Sequence, residues 1–409
     1  MSYRALSALK SHVNSPPYPF RVGFVSDKSA YFGDGVWLPS GLGRLIEIIA
    51  QQCTSLVLAV SKSPSKHPLA DYLVETPAYD IIPMPWLPSN AQGFWKGGAC
   101  RTCVREVERR SDVVIVQLPF AAPSALLAPR KPRVYNIIAD IRAITESSNF
   151  YTGTKKAVAV TMARGIDRFQ QHLAHRHDAR VVTHGPALLS RYGKDSGRAI
   201  VSSTILESEI ATYSRQRSSE APFRVLYVGY LRYEKGIQLL LDSFCNFHRI
   251  VPHSELHIIG GNDLVDHGIG ELIQGAQHTV NQEGVIQVLG PKEFGPGLFQ
   301  SYADADVLVL ASRSEGTPRV LVEARAFGCP VIATNVGGVP ASIEDGVDGL
   351  LVKPGDSHAI TVALLRIAQD ASLRSRLIAG GTARAHRTTI ESYATHLLEE
   401  AHVLQCAQA

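Results

Sequence analysis

The sequence predicts an α/β protein made of two doubly wound, Rossmann-like domains that face each other across a cleft. Three observations support this prediction. The chain has 409 residues, which suits two domains of roughly 200 residues better than one core. Short apolar runs alternate with helical patterns along the whole chain, as in repeated βα units. The runs are rich in Val, Ile and Leu without polar alternation, which is typical of parallel strands covered on both faces.

The predicted strands form two groups of six. The stretch Ser202–Pro222 is polar and is expected to have no buried face; it separates the groups and is the predicted interdomain connection. We therefore predict an N-terminal Rossmann-like domain at residues 1–205 and a second Rossmann-like domain at 206–385. The remaining residues, 386–409, contain a helical pattern that we expect to pack back on the first domain. The predicted strands are Val22–Ser26, Leu56–Val60, Ile81–Met84, Val113–Leu118, Val134–Ala139 and Val181–Thr183, then Val225–Gly229, Leu256–Gly260, Val285–Leu289, Val307–Ala311, Val331–Thr334 and Leu350–Val352.

The composition indicates a globular protein, with 45% apolar and 19% charged residues. No apolar run reaches the roughly 18–20 residues of a membrane span, and the first twenty residues lack the apolar stretch of a secretory signal. We therefore expect a cytoplasmic protein. Six cysteines over this length do not predict a disulfide framework. Cys100 and Cys103 form one isolated CxxC, which we interpret as two small residues on a helix.

The net charge of +4 is unevenly distributed. Residues 1–215 contain 26 Lys and Arg against 16 Asp and Glu, and residues 216–409 contain 15 against 21. The first half is therefore basic and the second acidic. A basic half suggests an anionic partner, with charge that serves only solubility as the alternative.

Two loops in the second half carry charges at the ends of predicted strands. Arg232 and Lys235 follow the strand that ends at Gly229 and precede a helix, an arrangement that suits phosphate oxygens. The alternative is a surface turn with two solvated charges. Glu315 lies in the loop after a later strand, and Glu323 lies in the helix that follows. Each glutamate also has a structural interpretation. Glu315 could be a favourable charge near a helix N-terminus, and Glu323 could lie on a solvated helix face.

The helix after Glu315 is predicted to have Thr317 as its N-cap and Pro318 at its first position. A third loop, Asn335–Pro340, contains the glycine pair Gly337 and Gly338 directly after a strand. Glycines there would let the backbone approach a ligand, with a tight strand-to-helix turn as the alternative. Ligands of such sheets bind beyond the carboxyl ends of the strands, so the three loops predict one site.

The segments YVGYLRYEKG, SEGTPRVLVEA and GCPVIATNVGGVPASIEDGVDGLLVKPGD resemble the carboxyl-terminal half of glycosyltransferase family 4. The resemblance covers about 130 residues, and the N-terminal half matches only through SGLGRLIEIIAQ. It implies a GT-B fold and a retaining transferase that uses a nucleoside diphosphate sugar, with the acceptor bound by residues 1–205 and the donor by residues 206–385. Glu315 would contact hydroxyls of the donor sugar, Glu323 the ribose hydroxyls, and Lys235 the diphosphate.

Three positions depart from the family pattern. Tyr230 stands where an arginine usually follows the glycine, and Arg232 is the candidate replacement. The first loop has Ser40-Gly41 in place of a glycine pair. A frequent His-Asp pair reads Ala139-Asp140, with His184 as a candidate neighbour or a structural residue. The resemblance implies Glu315, Lys235, Arg232 and Asp140 as catalytic residues, and Gly41, Gly43, Gly229, Tyr230, Gly316, Thr317, Pro318, Arg319 and Glu323 as donor-binding residues.

The expected reaction moves a hexose-type sugar from a UDP- or GDP-sugar to an acceptor hydroxyl, in glycan, polysaccharide or glycolipid synthesis. Lys235 and Arg232 would stabilise charge that develops on the leaving diphosphate. Retention would proceed by front-face attack, in which the leaving phosphate helps to accept the acceptor's proton. We expect no metal and no cofactor beyond the donor, because no metal-binding cluster is evident.

Basic segments in the first half predict an anionic or lipid-linked acceptor and peripheral attachment to an anionic membrane surface. One is Gly153–Arg180, and the other follows Phe94-Trp95-Lys96. Nucleic acid is not an expected partner, because no binding module accompanies the basic residues. Two alternatives to a transferase remain: a nucleotide-sugar epimerase or hydrolase of the same fold, and a non-catalytic subunit that binds nucleotide sugar.

Overall fold

The computed structural model describes residues 16–67, 70–74, 77–87, 96–147, 152–193, 197–218, 220–261 and 268–407. The chain divides into two compact units. The first unit runs to Thr204 and resumes at Ile390, and the second unit is Ile205–Thr389. The domain boundaries predicted at residues 205 and 385 lie one and four residues from these positions.

The first unit contains a sheet whose seven parallel strands have the order β5-β3-β1-β6-β7-β8-β9. Two short strands, β2 and β4, extend it in antiparallel fashion from the end of β1. The strands are β1 (Tyr18–Phe32), β2 (Val36–Leu38), β3 (Cys53–Ser63), β4 (Tyr72–Val74), β5 (Asp80–Met84), β6 (Val113–Leu118), β7 (Arg133–Ile137), β8 (Ala179–His184) and β9 (Arg198–Ile200). The helices among them are α1 (Ser40–Gln52), α2 (Gly97–Arg110), α3 (Ile141–Ser147), α4 (Gly153–Ala174) and α5 (Pro186–Tyr192).

The second unit contains a sheet of six parallel strands in the order β12-β11-β10-β13-β14-β15. This is the 3-2-1-4-5-6 order of dinucleotide-binding folds, in which ligands bind where the strand order reverses, here beyond β10 and β13. The strands are β10 (Phe223–Val228), β11 (Ser254–Ile259), β12 (Ile286–Gly290), β13 (Val307–Leu310), β14 (Val331–Thr334) and β15 (Leu350–Val352). The helices are α6 (Ile237–Ile250), α7 (Ile269–Val280), α8 (Pro296–Ala303), α9 (Arg319–Ala326), α10 (Val339–Ser342), α11 (Ser357–Gln369) and α12 (Ala371–Arg387).

The C-terminal helix α13 (Ile390–Cys406) belongs to the first unit. It packs on β6, β7, β8 and α1. Its apolar side includes the buried residues Leu397, Leu398 and Ala401. An ion pair between Arg180 and Glu400, with 2.6 Å between Nε and Oε2, joins this helix to β8. Burial of one apolar face explains why this terminal segment is ordered as part of the unit.

All twelve strands predicted from the sequence are present. Strands β2, β4 and β9 were not predicted, because each has only three residues and therefore too short an apolar pattern. One description of the connection was wrong: Ser202–Pro222 does have a buried part. Ser202, Ser203 and Thr204 are at most 3% exposed, and the carbonyl of Thr204 accepts a hydrogen bond from buried Arg44.

Two further expectations concern cysteines and membranes. The six cysteines are all free, and Cys100 and Cys103 lie on helix α2, as interpreted from the sequence. Burial raises the pKa of Cys100 to about 11 and also raises that of Cys103, so both side chains are thiols at neutral pH. Within the described ranges, no helix has the length and apolar composition that crossing a membrane requires.

Candidate active site in the second unit

The loop after β10 is held against the end of the neighbouring strand β11. The Gly229 N–H donates to the Ile259 carbonyl at 3.0 Å, and the Leu231 N–H donates to the Gly261 carbonyl at 3.2 Å. Gly260 is required for this approach, because a Cβ there would stand 1.8 Å from the Gly229 oxygen. The predicted donor-binding residue Gly229 therefore begins a loop with a fixed path.

Tyr227 also fixes the loop after β10, through a hydrogen bond to the backbone of that loop. Its hydroxyl donates to the Tyr230 carbonyl at 2.7 Å, and the side chain is completely buried. Burial, and then the negative charges of Glu315 and Glu234, raise its pKa. The phenol therefore stays protonated and remains a hydrogen-bond donor. Sequence analysis missed Tyr227, although its place near the end of a predicted strand was a signal.

Tyr230 and Arg232 interact with each other. The guanidinium carbon of Arg232 lies 4.7 Å from the centroid of the Tyr230 ring, within the range of cation–π attraction. The Arg232 side chain is 45% exposed and lies 3.9 Å from Glu234. A solvent-accessible cation therefore stands beside the strand end, and the ring of Tyr230 supports it.

Lys235 and Glu315 meet at the point where the sheet order reverses. The Lys235 Nζ donates to Oε1 of Glu315 at 2.8 Å, with side chains 25% and 7% exposed. Gly236 follows with a φ of 69°, and a Cβ there would stand 1.9 Å from the Ala311 oxygen. The turn after Lys235 thus passes tightly against the end of β13, which brings the lysine to the glutamate. The alternative of two solvated charges is wrong for Lys235.

Two hydroxyl groups that the sequence analysis missed support Glu315. Ser312 donates its Oγ hydrogen to Glu315 Oε1 at 2.7 Å. Thr334, at the end of β14, donates its hydroxyl to the Ser312 carbonyl at 2.6 Å. Ser312 and Thr334 are both completely buried. Their position at the ends of predicted strands was the only available signal, because small hydroxyl residues are common there for structural reasons.

The glycine pair in the loop after β14 packs against the loop that carries Glu315. Gly337 has a φ of 52°, and a Cβ there would stand 1.8 Å from the backbone carbonyl oxygen of Glu315. A Cβ at Gly338 would stand 2.3 Å from the Gly316 oxygen. The expected close approach therefore occurs to protein backbone. Gly316 itself faces open space, since a Cβ there would meet no atom within 4 Å.

Helix α9 begins one residue later than predicted. It starts at Arg319, which is exposed, and Pro318 is the N-cap with extended backbone, so Thr317 is not the cap. Glu323 is only 6% exposed, and its Oε2 accepts a hydrogen bond from Tyr302 at 2.8 Å. The alternative of a solvated helix face is therefore wrong for Glu323. Burial and the glutamate raise the pKa of Tyr302, which remains a donor.

A buried arginine anchors helix α9 two residues after Glu323. Arg325 donates to the Ser342 carbonyl at 2.6 Å and lies 3.3 Å from Asp348. Burial lowers its pKa to about 10, which still leaves the guanidinium charged at neutral pH. The helix that carries Glu323 is thus tied to the segment after the glycine pair.

In the first unit, the predicted glycines and Asp140 have structural partners. Gly41 and Gly43 lie in the first turn of α1, and a Cβ at Gly43 would stand 2.3 Å from the Tyr72 ring. Asp140 caps α3, with Oδ1 accepting the N–H groups of Arg142 and Ala143 at 2.9 and 3.1 Å. Its Oδ2 accepts a hydrogen bond from Arg191. The catalytic role of Asp140 stays a prediction.

His184 contacts the C-terminal helix. Its Nε2 lies 3.0 Å from the hydroxyl of Tyr393, which also accepts a hydrogen bond from Asn136 at 2.6 Å. All three side chains are buried. These contacts support the structural role that was the alternative for His184.

The basic segments predicted to meet an anionic partner are partly neutralised. Arg109 and Arg110 of α2 both pair with Glu106, at 2.6 and 2.5 Å. Phe94 and Trp95 lie outside the described residues. In α4, Lys155, Val158 and Met162 follow an i, i+3, i+7 spacing and are all exposed, Val158 by 60% and Met162 by 47%. In the part of the chain that is described, no three His, Cys, Asp or Glu side chains are grouped as a metal would require.

The chain is similar to known glycosyltransferases. Residues 222–370 match the family model "Glycosyl transferases group 1". The D-inositol 3-phosphate glycosyltransferase of Paenarthrobacter aurescens (strain TC1) is 32% identical over 193 residues, covering 44% of this chain and 46% of that protein. That of Corynebacterium glutamicum (strain R) is 30% identical over 223 residues, covering 51% and 52%. The chain spans about half the length of these curated relatives.

Solved structures resemble almost the whole chain. Sucrose-phosphate synthase from Thermosynechococcus elongatus has a TM-score of 0.68 at 17% identity, covering 95% of this chain and 99% of that one. Anabaena Alr3699/HepE in complex with UDP-glucose has a TM-score of 0.64 at 16% identity, covering 95% and 100%. The chain therefore has the fold of the GT-B glycosyltransferases. Residues 222–370 of its second unit are similar to the glycosyl transferases group 1 family, which agrees with the resemblance stated from the sequence.

Proposed function

We propose that the protein is a retaining glycosyltransferase that moves a hexose from a UDP- or GDP-sugar to an acceptor hydroxyl. One observation carries the proposal: Lys235 and Glu315 meet beyond β10 and β13, where the sheet order reverses. A cation for phosphate and a carboxylate for sugar hydroxyls are the two groups that a nucleotide sugar requires at its reacting end.

In this proposal, the diphosphate binds beside Lys235 and Arg232. Both are cations at one strand end, and positive charge there stabilises the leaving diphosphate most strongly in the transition state. The neighbouring backbone of Gly229 and Tyr230 borders the same phosphates. No metal is needed for this charge stabilisation, because the two side chains supply it.

The remaining donor contacts follow from the loop after β13. Glu315 would accept hydrogen bonds from hydroxyls of the sugar, and Glu323 from those of the ribose. Gly316 faces open space, so its backbone can border the donor together with its neighbours. The leaving phosphate would help to remove the acceptor's proton, with retention by front-face attack. Asp140, in the first unit, is proposed as a further catalytic residue. The neighbours of Gly316 in this role are Thr317, Pro318 and Arg319.

For the acceptor we propose an anionic or lipid-linked molecule bound by the first unit. The excess of basic residues in the first half supports it, as do the exposed Lys155, Val158 and Met162 on one flank of α4. Such a flank suits the boundary of an anionic lipid layer. Co-sedimentation with vesicles of phosphatidylcholine and phosphatidylglycerol should exceed that with phosphatidylcholine alone. Equal co-sedimentation would contradict membrane attachment.

A two-stage experiment tests the function. First, thermal unfolding is followed with UDP, GDP, ADP and their glucose or mannose conjugates, since a ligand of the folded state raises Tm. Second, products from the stabilising donor are analysed with and without candidate acceptors, including inositol phosphates and sugar phosphates. A transferase forms a new glycoside only with acceptor. An isomer or free sugar from donor alone would indicate an epimerase or hydrolase, and binding without any product would indicate a non-catalytic subunit.

A further inference from the structure

The Glu315 carboxylate is held asymmetrically. Lys235 and Ser312 both donate to the same oxygen, Oε1, at 2.8 and 2.7 Å. Two donors on Oε1 restrict the rotation of the carboxylate. The other oxygen, Oε2, is thereby directed away from both donors.

The two donors differ in how firmly they are held. Lys235 ends a flexible four-carbon chain, its side chain is 25% exposed, and in the proposed function its ammonium also serves the diphosphate. Ser312 is completely buried at the end of β13, and Thr334 fixes its carbonyl at 2.6 Å. Ser312 therefore keeps its position when a ligand draws the lysine toward phosphate.

We propose that Ser312 is a positioning residue for the donor sugar: its hydroxyl holds Oε1 of Glu315, so that Oε2 is presented to the sugar hydroxyls. This inference rests on the proposed function. Ser312 itself makes no contact with the donor. Its effect passes through Glu315 and should be confined to ligands that carry a sugar.

The restriction to ligands that carry a sugar can be tested by comparing nucleotide with nucleotide sugar. Binding of UDP and of UDP-glucose to the full chain is measured by calorimetry for the wild type and for Ser312→Ala, with GDP and GDP-mannose as a second pair. We expect the Kd of the nucleotide sugar to rise about tenfold, as for a lost hydrogen bond to a charged group. The Kd of the nucleoside diphosphate should change by less than about twofold, because Glu315 does not contact it.

Two further variants separate positioning from general weakening of the fold. Ser243→Ala removes an equally buried serine hydroxyl, which bonds the Leu239 carbonyl within helix α6. It should change neither Kd. Ser312→Thr keeps the hydroxyl and should restore sugar binding to within about threefold of the wild type. Tm is measured for each variant, so that loss of folded protein is not mistaken for weaker binding.

The outcomes distinguish this inference from the proposed function. Equal weakening of UDP and UDP-glucose by Ser312→Ala, or no weakening of either, overturns the positioning role while leaving a nucleotide-sugar site. Failure of the wild-type chain to bind any of the four probes overturns the proposed function, and the inference with it. Selective loss of sugar binding, with rescue by Ser312→Thr, supports both.

Discussion

The two units use polar side chains at the ends of their parallel strands for different purposes. In the second unit, Lys235 and Glu315 join two strand-end loops that lie 80 residues apart in the chain. In the first unit, Asp140 caps the helix that follows it and binds Arg191, which also binds Asp167 at 2.6 Å. One arrangement joins two strand-end loops, and the other joins helices to one another.

The difference shows that a charged residue at a strand end can be held by its own helix or by a distant loop. Asp140 and Glu315 both follow a buried strand and precede a helix. The partner distinguishes them: Asp140 accepts the first N–H groups of its own helix, a common structural use of aspartate. Glu315 instead receives a distant lysine and a buried serine, beside a glycine that faces open space. The predictions below test this contrast.

The largest effect is expected for Lys235→Ala. Removing a cation that acts on the leaving diphosphate should lower kcat/KM by about 100- to 1000-fold. Steady-state kinetics with the donor found by thermal shift would measure the loss. Lys353→Ala is the matched control, because Lys353 is an exposed lysine just after β15 and should retain normal turnover. Near-normal turnover by Lys235→Ala would rule out its phosphate role.

Gly337→Ala should have the next largest effect. The added Cβ would stand 1.8 Å from the backbone carbonyl oxygen of Glu315, so the loop that carries Glu315 must shift. We expect the Kd of the donor to rise at least about tenfold, together with a fall in Tm. Gly355→Ala is the control: Gly355 has a similar positive φ of 76°, but a Cβ there meets nothing within 4 Å. It should cost only about 1–2 kcal/mol of backbone strain and leave the donor Kd unchanged. Equal donor affinity for both variants would contradict the role of Gly337 in placing the loop that carries Glu315.

Tyr393→Phe addresses the first unit and should show the opposite pattern. The change removes a buried hydroxyl that is a hydrogen-bond partner of Asn136 and His184. The free energy of unfolding should fall by about 2 kcal/mol, which corresponds to a Tm decrease of several degrees. Donor affinity should not change. A weaker donor Kd with an unchanged Tm would mean that this cluster serves the site after all.

The smallest effect is expected for Tyr227→Phe. The ring remains, and only the hydrogen bond to the Tyr230 carbonyl is lost. The loop that carries Arg232 should become less ordered, and donor affinity should fall about three- to fivefold, as for a neutral hydrogen bond. Isothermal calorimetry would measure this change. An effect as large as that of Lys235→Ala would mean that the phenol takes a more direct part.

Much of the fold could be predicted from the sequence, because parallel strands buried on both faces leave continuous apolar runs. All twelve predicted strands rest on that pattern, and the three short strands that were missed carry too little of it. The connection at Ser202–Thr204 was described as polar and unburied, because serine and threonine were read without their neighbours. In the structure these residues are buried, and the carbonyl of Thr204 accepts a hydrogen bond from Arg44.

The candidate site was only partly predictable. Residue types in three loops indicated Lys235, Glu315 and Glu323, and family resemblance indicated their roles. The glycine pair was expected to open space for a ligand, but Gly337 and Gly338 admit the backbone of the Glu315 loop instead. Ser312 and Tyr302 were missed, because a serine or tyrosine near a strand or helix end has no distinctive pattern.

By itself, the sequence determined the set of strands, the loops at their ends and the residue types that those loops offer. Only the tertiary structure decided which loops meet. Strand β10 pairs directly with β13, with Val225 opposite Val307, although two strands lie between them in the chain. This reversal of strand order brings Lys235 to the oxygen of Glu315 that Ser312 also binds. Hydrogen bonds depend on distance in space, and spacing along the chain does not contain that distance.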